Sequence, residues 1–263
     1  SSSVIIPTKN RPQALVECLD SVSNQTLLPD EIIVVDASDT EELNSGIVVR
    51  VNENVKTICL HTAIAGLTHQ KNVGVKACSG DIVFFLDDDI VLEKDFIKEI
   101  VSVFDDDHER KIGGVCGQII SPRKRRSYSP RSLLIAAIEA VDKAIAIIFL
   151  LRKKGNGTFR ASGFPNYPYN VDELKRVEFL SGGLTAWRKE IFDDFKFDEN
   201  LKGSSYNEDV DFSYRVSRQY INMYNPYARS IHKDSPLARG NSNEIQKYIL
   251  ENSYYLHKKN FPR

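Results

Sequence analysis

Four short apolar runs punctuate the first third of the chain: Val4 to Pro7, Ile32 to Asp36, Val55 to Leu60 and Ile82 to Leu86. Each is β-branched or aromatic and too short for a helix, so each predicts a strand buried on both faces. Between them apolar residues recur at helical spacing. Leu15, Val16, Leu19 and Val22 share one face of a stretch from Pro12 to Val22, and a second helical stretch runs from Leu67 to Ala77. Strand, helix, strand in repetition predicts right-handed crossovers and a mainly parallel sheet. Such sheets take ligands beyond the carboxyl ends of their strands.

Polar residues gather at those ends. Thr8, Lys9, Asn10 and Arg11 follow the first run, Ala37, Ser38 and Asp39 follow Asp36, and Asp87, Asp88 and Asp89 follow the last. Three successive carboxylates at the exit of a buried strand repel one another unless a cation is present, and hard oxygen ligands suit Mg²⁺ or Mn²⁺. Read alone, the same triplet is equally a solvated acidic turn leading into a helix capped at Asp95.

From Ser121 the character changes. A basic run, Arg123 to Arg126, precedes an apolar stretch from Leu133 to Leu151, then Arg152, Lys153 and Lys154, then a Gly, Asn and Pro rich loop from Gly155 to Asn170. The apolar stretch is long enough for a bilayer, but Glu139, Asp142 and Lys143 at its middle would each cost about 2.5 to 3.5 kcal/mol. Those charges fall on one narrow helical face. The stretch therefore reads either as a helix lying in an anionic membrane interface or as a core or dimer-interface helix. The strand pattern resumes from Val177 to Gly183. Asn207 to Asp211 then opens a helix through about Gln219, a strand is expected from Ala228 to Ile231, and a final helix from about Asn243 to Asn260.

Composition narrows the classes. Hydrophobic residues at 41% and charged residues at 27% exclude collagen-like, disordered and disulfide-scaffold chains. With 35 Lys and Arg against 36 Asp and Glu, no overall positive field exists to collect nucleic acid, so a nucleotide must be held by a local site. Cys18, Cys59, Cys78 and Cys116 lack CxxC spacing and are expected to be buried thiols in a reducing compartment. Met223 is the sole methionine, so Ser1 reads as an internal residue of a longer chain. No leader pattern is present, which predicts a cytoplasmic location, peripheral on the membrane if the apolar helix meets lipid, and unmodified sequons at Asn24 and Asn156.

Four segments, in order, carry a resemblance: SVIIPTKNRP with EIIVVDASD; GLTHQKNVGVKACSGDIVFFLDDD; FLSGGLTAWR; and NEDVDFSYR followed by Ser230, Ile231 and His232. Together they resemble the inverting nucleotide-sugar glycosyltransferases of family 2, which have the GT-A fold. The resemblance covers nearly all of the chain outside residues 121–176. It implies a single α/β GT-A-like domain, a Rossmann-type mainly parallel sheet flanked by helices. Residues 1–120 would form the nucleotide-sugar-binding half, 121–176 an insertion with an amphipathic helix, and 177–263 the acceptor and catalytic half.

The same resemblance implies roles for particular residues. Thr8, Asn10 and Arg11 match the first loop near the nucleoside, and Asp36 the acid that hydrogen-bonds the base. Lys71 and Asn72 stand where Arg-Asn is usual, keeping a positive group near the nucleotide. Asp87 and Asp89 match the Asp-x-Asp motif, the first near the ribose and the second on the metal, with Asp88 between them in the donor site. Gly182 and Gly183 would let backbone approach the sugar, and His232 would be a further metal ligand. Asp209 matches the general base, needed because an acceptor hydroxyl must lose its proton as it attacks the anomeric carbon. Glu208 would orient the acceptor or tune that base.

Without the resemblance, Asn207 to Asp209 reads as a helix cap with Asp211 and Arg215 as an i,i+4 pair, and Trp187 reads as core more readily than as an acceptor platform. The implied reaction is transfer of a sugar from a nucleoside diphosphate to a glycan or lipid-linked hydroxyl with Mn²⁺ or Mg²⁺, in polysaccharide, glycolipid or glycoprotein-glycan assembly. Two alternatives remain. A sugar-nucleotide nucleotidyltransferase usually carries a Gly-rich loop after its first strand, and Thr8 to Pro12 contains no glycine. An inactive nucleotide-sugar-binding module would have eroded acids, whereas Asp87, Asp89, Glu208 and Asp209 are all present.

Overall fold

The computed structural model describes residues 1–40, 54–120, 157–159, 165–168, 171–180, 183–201, 203, 205–233 and 242–261. Strands β1 (Ser2–Thr8), β2 (Glu31–Asp36), β3 (Lys56–His61) and β4 (Ile82–Leu86) run parallel in the order β3-β2-β1-β4. Helix α1 (Pro12–Ser23) follows β1 and α2 (Leu67–Ala77) precedes β4, as the apolar spacing predicts.

The sheet then becomes mixed. Strand β10 (Leu184–Arg188) lies antiparallel between β4 and β6 (Ile112–Ile119), and β11 (Ile221–His232) runs parallel to β6. The far end of β11 pairs antiparallel with β5 (Ile90–Leu92), and its near end with β9 (Lys175–Val177). Among the described residues these strands make one nine-stranded sheet, with β7 (Thr158–Phe159) and β8 (Pro165–Asn166) as a separate two-stranded ribbon. Helices α3 (Phe96–Asp105), α4 (Ile191–Asp194), α5 (Glu208–Val216) and α6 (Ser242–Asn260) complete the fold.

The continuous apolar runs of β1, β2 and β4 are explained by cores on both faces. Val4, Ile6, Ile32, Val34, Phe84 and Leu86 meet Leu15 and Leu19 of α1 and Ile97, Ile100 and Phe104 of α3. The alternate residues Ile5, Ile33, Val35, Val83 and Phe85 meet Trp187, Phe197, Phe212 and Val216. Trp187 is therefore core and no acceptor platform: its ring is edge-on to Phe212 at 4.8 Å, and Nε1 donates to Thr185 Oγ1 at 3.0 Å. Gly114 is required beneath it, since a Cβ there would lie 2.4 Å from the indole.

Strand β3 corrects one expectation. Among the described residues it has a single neighbour, β2, and its residues are only partly covered, so there it is an edge strand and not one buried on both faces. Cys59 on it is exposed, unlike the buried Cys18, Cys78 and Cys116. The apolar stretch 133–151 and both basic runs beside it lie outside the described residues. Among the described residues no helix is long and apolar enough to cross a membrane.

At the amino end of the sheet, buried Glu31 accepts from Ser3 Oγ (2.6 Å), from the Ser79 N–H (2.5 Å) and from Lys56 Nζ (3.3 Å). Burial opposes its charge, but these donors prevail and hold the carboxyl down at about 2. The stabilisation is present above the ordinary value of 4.5 and is lost as pH falls through about 2. Glu31→Gln should therefore lower stability at pH 7 by up to about 3 kcal/mol, with the gap closing toward pH 2. Urea unfolding at pH 7, 4 and 2.5 checks this, and a gap independent of pH would refute it.

Candidate active site

The site is assembled at the carboxyl ends of β1, β2 and β4. Strand β4 delivers Asp87, Asp88 and Asp89, and β5 begins at the next residue. Because β5 pairs with the end of β11, His232 sits opposite Ile90 in register. This brings His232 Nε2 to 3.1 Å from Asp89 Oδ1. Asp87, Asp89 and His232 each offer one ligand atom, and all three atoms lie within 4.8 Å of one another. Two carboxylates and an imidazole fit a divalent cation of the Mn²⁺ or Mg²⁺ kind, with the imidazole favouring Mn²⁺.

Asp88 points elsewhere. It is buried, accepting from Thr8 Oγ1 at 2.8 Å and from Arg11 Nη1 at 3.0 Å. Burial pushes its carboxyl up to about 6, against the lowering effect of Thr8 and Arg11. Arg11 also reaches Asp89 Oδ2 at 3.5 Å. Thr8, Arg11 and Asp88 thus lock the β1 exit onto the acidic turn. Asn10 ties the β1 and β2 exits together. It is left-handed (φ 54°), a conformation Asn tolerates. Its N–H donates to Ser38 Oγ at 2.8 Å and its Nδ2 to Asp39 Oδ2 at 2.8 Å. Asp36 is buried, and its Oδ1 accepts both the N–H and the hydroxyl of Ser38.

Gly183 begins the β10 side of the site. Its carbonyl accepts the Asp87 N–H at 2.9 Å, and its φ is +59°. A Cβ there would lie 1.9 Å from Asp87 Oδ2, so glycine is needed for the carboxylate to stand where it does. Gly182 lies outside the described residues.

Helix α5 supplies the acid pair on its first turn, where the helix dipole favours negative charge. The Asp209 carboxylate accepts the Val210 N–H at 2.8 Å. Glu208 is buried, with Oε1 at 2.5 Å from Lys71 Nζ and Oε2 lacking a partner among the described residues. Lys71 is 1% exposed and lies over the rings of Phe85 and Phe197, at 5.4 and 5.2 Å. Burial lowers the ammonium's affinity for its proton, but Glu208, Asp87 and Asp209 around it leave it raised. For Glu208 burial dominates and raises the carboxyl, Asp209 and Asp87 add to this, and Lys71 opposes it. One buried ammonium therefore joins the Asp87 side of the site to the Glu208 and Asp209 side.

Of the residues picked out in the sequence, Thr8, Arg11, Lys71, Asp87, Asp88, Asp89, Gly183, Glu208, Asp209 and His232 converge here, with Asn10 and Asp36 at the adjoining strand ends. Lys71 forms the buried floor, paired with Glu208. Asn72 pins the segment before α5, exchanging hydrogen bonds with the Phe197 backbone and donating to Glu199 Oε1 at 2.8 Å. Asp211 and Arg215 do form the i,i+4 pair, at 2.9 Å. Gln70 had no signal in the sequence, yet its Nε2 donates to both the Thr8 and Val35 carbonyls and clamps the ends of β1 and β2.

A mixed α/β sheet carrying an acid and imidazole cluster at its carboxyl end, across from an acid pair on a helix start, is an arrangement of the GT-A class. The profile of glycosyl transferase family 2 matches residues 3–195, and the chain belongs to that family. The poly(ribitol-phosphate) beta-N-acetylglucosaminyltransferase TarS of Staphylococcus aureus is 28% identical over 140 residues, 51% of this chain and 24% of TarS. The O-antigen chain rhamnosyltransferase RfbN of Salmonella typhimurium is 25% identical over 195 residues, 65% of this chain and 58% of RfbN. The chain thus spans less than two thirds of either relative. Its fold matches crystal structures of TarS (TM-score 0.61, 17% identity, all of this chain and 44% of that one). It also matches GalNAc-T7 with UDP, GalNAc and Mn²⁺ (TM-score 0.68, 18% identity, 98% and 47%).

Proposed function

We propose that the protein is a metal-dependent inverting glycosyltransferase, moving a sugar from a nucleoside-diphosphate sugar to a hydroxyl acceptor. The observation that carries this reading is the Asp87, Asp89 and His232 cluster joined through buried Lys71 to Glu208 and Asp209. A divalent ion held by Asp87, Asp89 and His232 would offset the negative charge collecting on the departing diphosphate. Asp209 takes the proton of the acceptor hydroxyl on its carboxylate as the new bond forms. Glu208, held by Lys71, fixes the turn from which Asp209 projects. Arg11 and Asn10 frame the nucleoside end, and Gly183 leaves room beside Asp87 for the donor. A membrane-peripheral setting rests on residues 123–154 in the sequence alone.

Uridine diphosphate is the first nucleotide to test, because TarS and GalNAc-T7 have been crystallised with it. Titration calorimetry with Mn²⁺, with Mg²⁺ and with a chelator should give binding only when metal is present. The acidic triplet cannot hold a diphosphate beside uncompensated carboxylates. Equal affinity in chelator removes the metal from the mechanism, and no binding of any nucleoside diphosphate defeats the reading.

A further inference from the structure

We infer that Tyr167 and Tyr206 form an aromatic acceptor subsite beside Asp209 that receives a neutral pyranose ring, a proposal that rests on the glycosyl-transfer reading and adds the acceptor's chemistry. Both side chains remain open, Tyr167 at 45% and Tyr206 at 44% exposure. They come from separate elements. Tyr167 follows β8, whose ribbon is fastened to the segment just after β9. The Gly157 carbonyl accepts the Glu178 N–H at 2.7 Å, and the Phe159 N–H donates to Glu178 Oε2 at 2.6 Å. The Tyr167 ring stands edge-on to Phe179 at 5.4 Å. The next residue, Leu180, donates its N–H to Ser213 Oγ at 2.8 Å, and that hydroxyl donates to the Asp209 carbonyl at 2.6 Å. Tyr167 is thus linked through Phe179, Leu180 and Ser213 to the turn that carries the base.

Tyr206 adjoins the same turn in the chain, two residues before Glu208. It is flanked by two left-handed residues, Ser205 (φ 53°) and Asn207 (φ 67°), immediately before Glu208. A serine held left-handed costs free energy that ordinary loops avoid, and such residues cluster where geometry serves function. Burial first, then the Asp209 charge and then Tyr206 raise the Tyr167 phenol, as expected if both rings border the carboxylate.

A tyrosine offers a flat apolar face with a polar rim, at the cost of few rotatable bonds. A pyranose offers the complement: a face of C–H groups ringed by hydroxyls. The Asp209 carboxylate disfavours an anionic group at this position, so the ring that presents the attacking hydroxyl is neutral, even where a phosphate lies further along the acceptor.

Saturation-transfer NMR tests this on the full chain, with methyl glycosides of galactose, N-acetylglucosamine and rhamnose as probes and ribitol 5-phosphate as the linear control, each with and without UDP and Mn²⁺. Wild type should saturate the ring C–H protons of at least one glycoside. Tyr167→Ala and Tyr206→Ala should each weaken that signal by roughly five-fold, Tyr167→Phe and Tyr206→Phe should keep it, and ribitol phosphate should be unaffected by either alanine change. Unchanged thermal midpoints exclude misfolding of the variants. Equal signals in wild type and alanine variants, or none in wild type, overturn the subsite. Tyr-dependent glycoside signals without any UDP binding would instead keep the subsite and overturn the transferase reading.

Discussion

Asp209→Asn should lower turnover by about 10² to 10⁴ while leaving nucleotide affinity and thermal stability near those of the wild type. The amide oxygen can still accept the Val210 N–H, which the carboxylate now accepts at 2.8 Å, so the first turn of α5 keeps its shape. What the amide cannot do is take a proton. The loss should therefore fall on kcat with little change in the donor KM, the pattern for an interaction that matters in the transition state. UDP calorimetry alongside steady-state rates makes the comparison. Turnover within a few-fold of wild type would remove Asp209 as base and direct attention to Glu208, whose Oε2 has no partner among the described residues.

The parts of this site that could be read in the sequence are those set by local pattern. β1, β2, β4, α1 and α2 fall within a residue or two of their expected bounds, because a two-residue or 3.6-residue apolar period is a local property. The strand order beyond β4 is not local. Nothing near Leu184 to Arg188 says that the strand will run antiparallel between β4 and β6, and a partner's direction leaves no mark on side-chain alternation. The proximity of Asp89 and His232 has the same origin: it follows from the pairing of β5 with the end of β11. There the resemblance to a family, and not the pattern, supplied the expectation.

An environment decided by a distant partner leaves no mark in the local sequence. The resemblance alone points to Lys71 and Asn72, and no local pattern shows that Lys71 is buried against Glu208, 137 residues on, or that Asn72 bonds the Phe197 backbone. Cys59 is exposed against expectation, because an apolar run does not reveal that its strand lies at a sheet edge. Trp187 is core, as a large aromatic usually is, with β10 and Gly114 setting where it packs.

The Lys71 and Glu208 pair should therefore yield the largest loss of stability. Lys71→Met fills much of the volume between Phe85 and Phe197 but leaves Glu208 buried without its counter-charge. Removing one member of a buried pair costs about 3–5 kcal/mol, a fall of roughly 10 °C in thermal midpoint for a chain of this size. The variant's pH dependence has a definite sign. With the ammonium gone, burial raises Glu208 without opposition, so the folded state keeps its proton where the unfolded state releases it. Stability should then be highest at acid pH and fall as pH rises above the ordinary carboxylate value of 4.5. Adding Glu208→Gln should recover most of the loss and abolish that slope, because a neutral amide needs no counter-charge. Urea unfolding of the single and double variants between pH 5 and 8 provides the cycle. If the double variant is no more stable than Lys71→Met, and its slope is unchanged, the cost lies in packing around the lysine stem and the ion pair is not what holds the floor of the site.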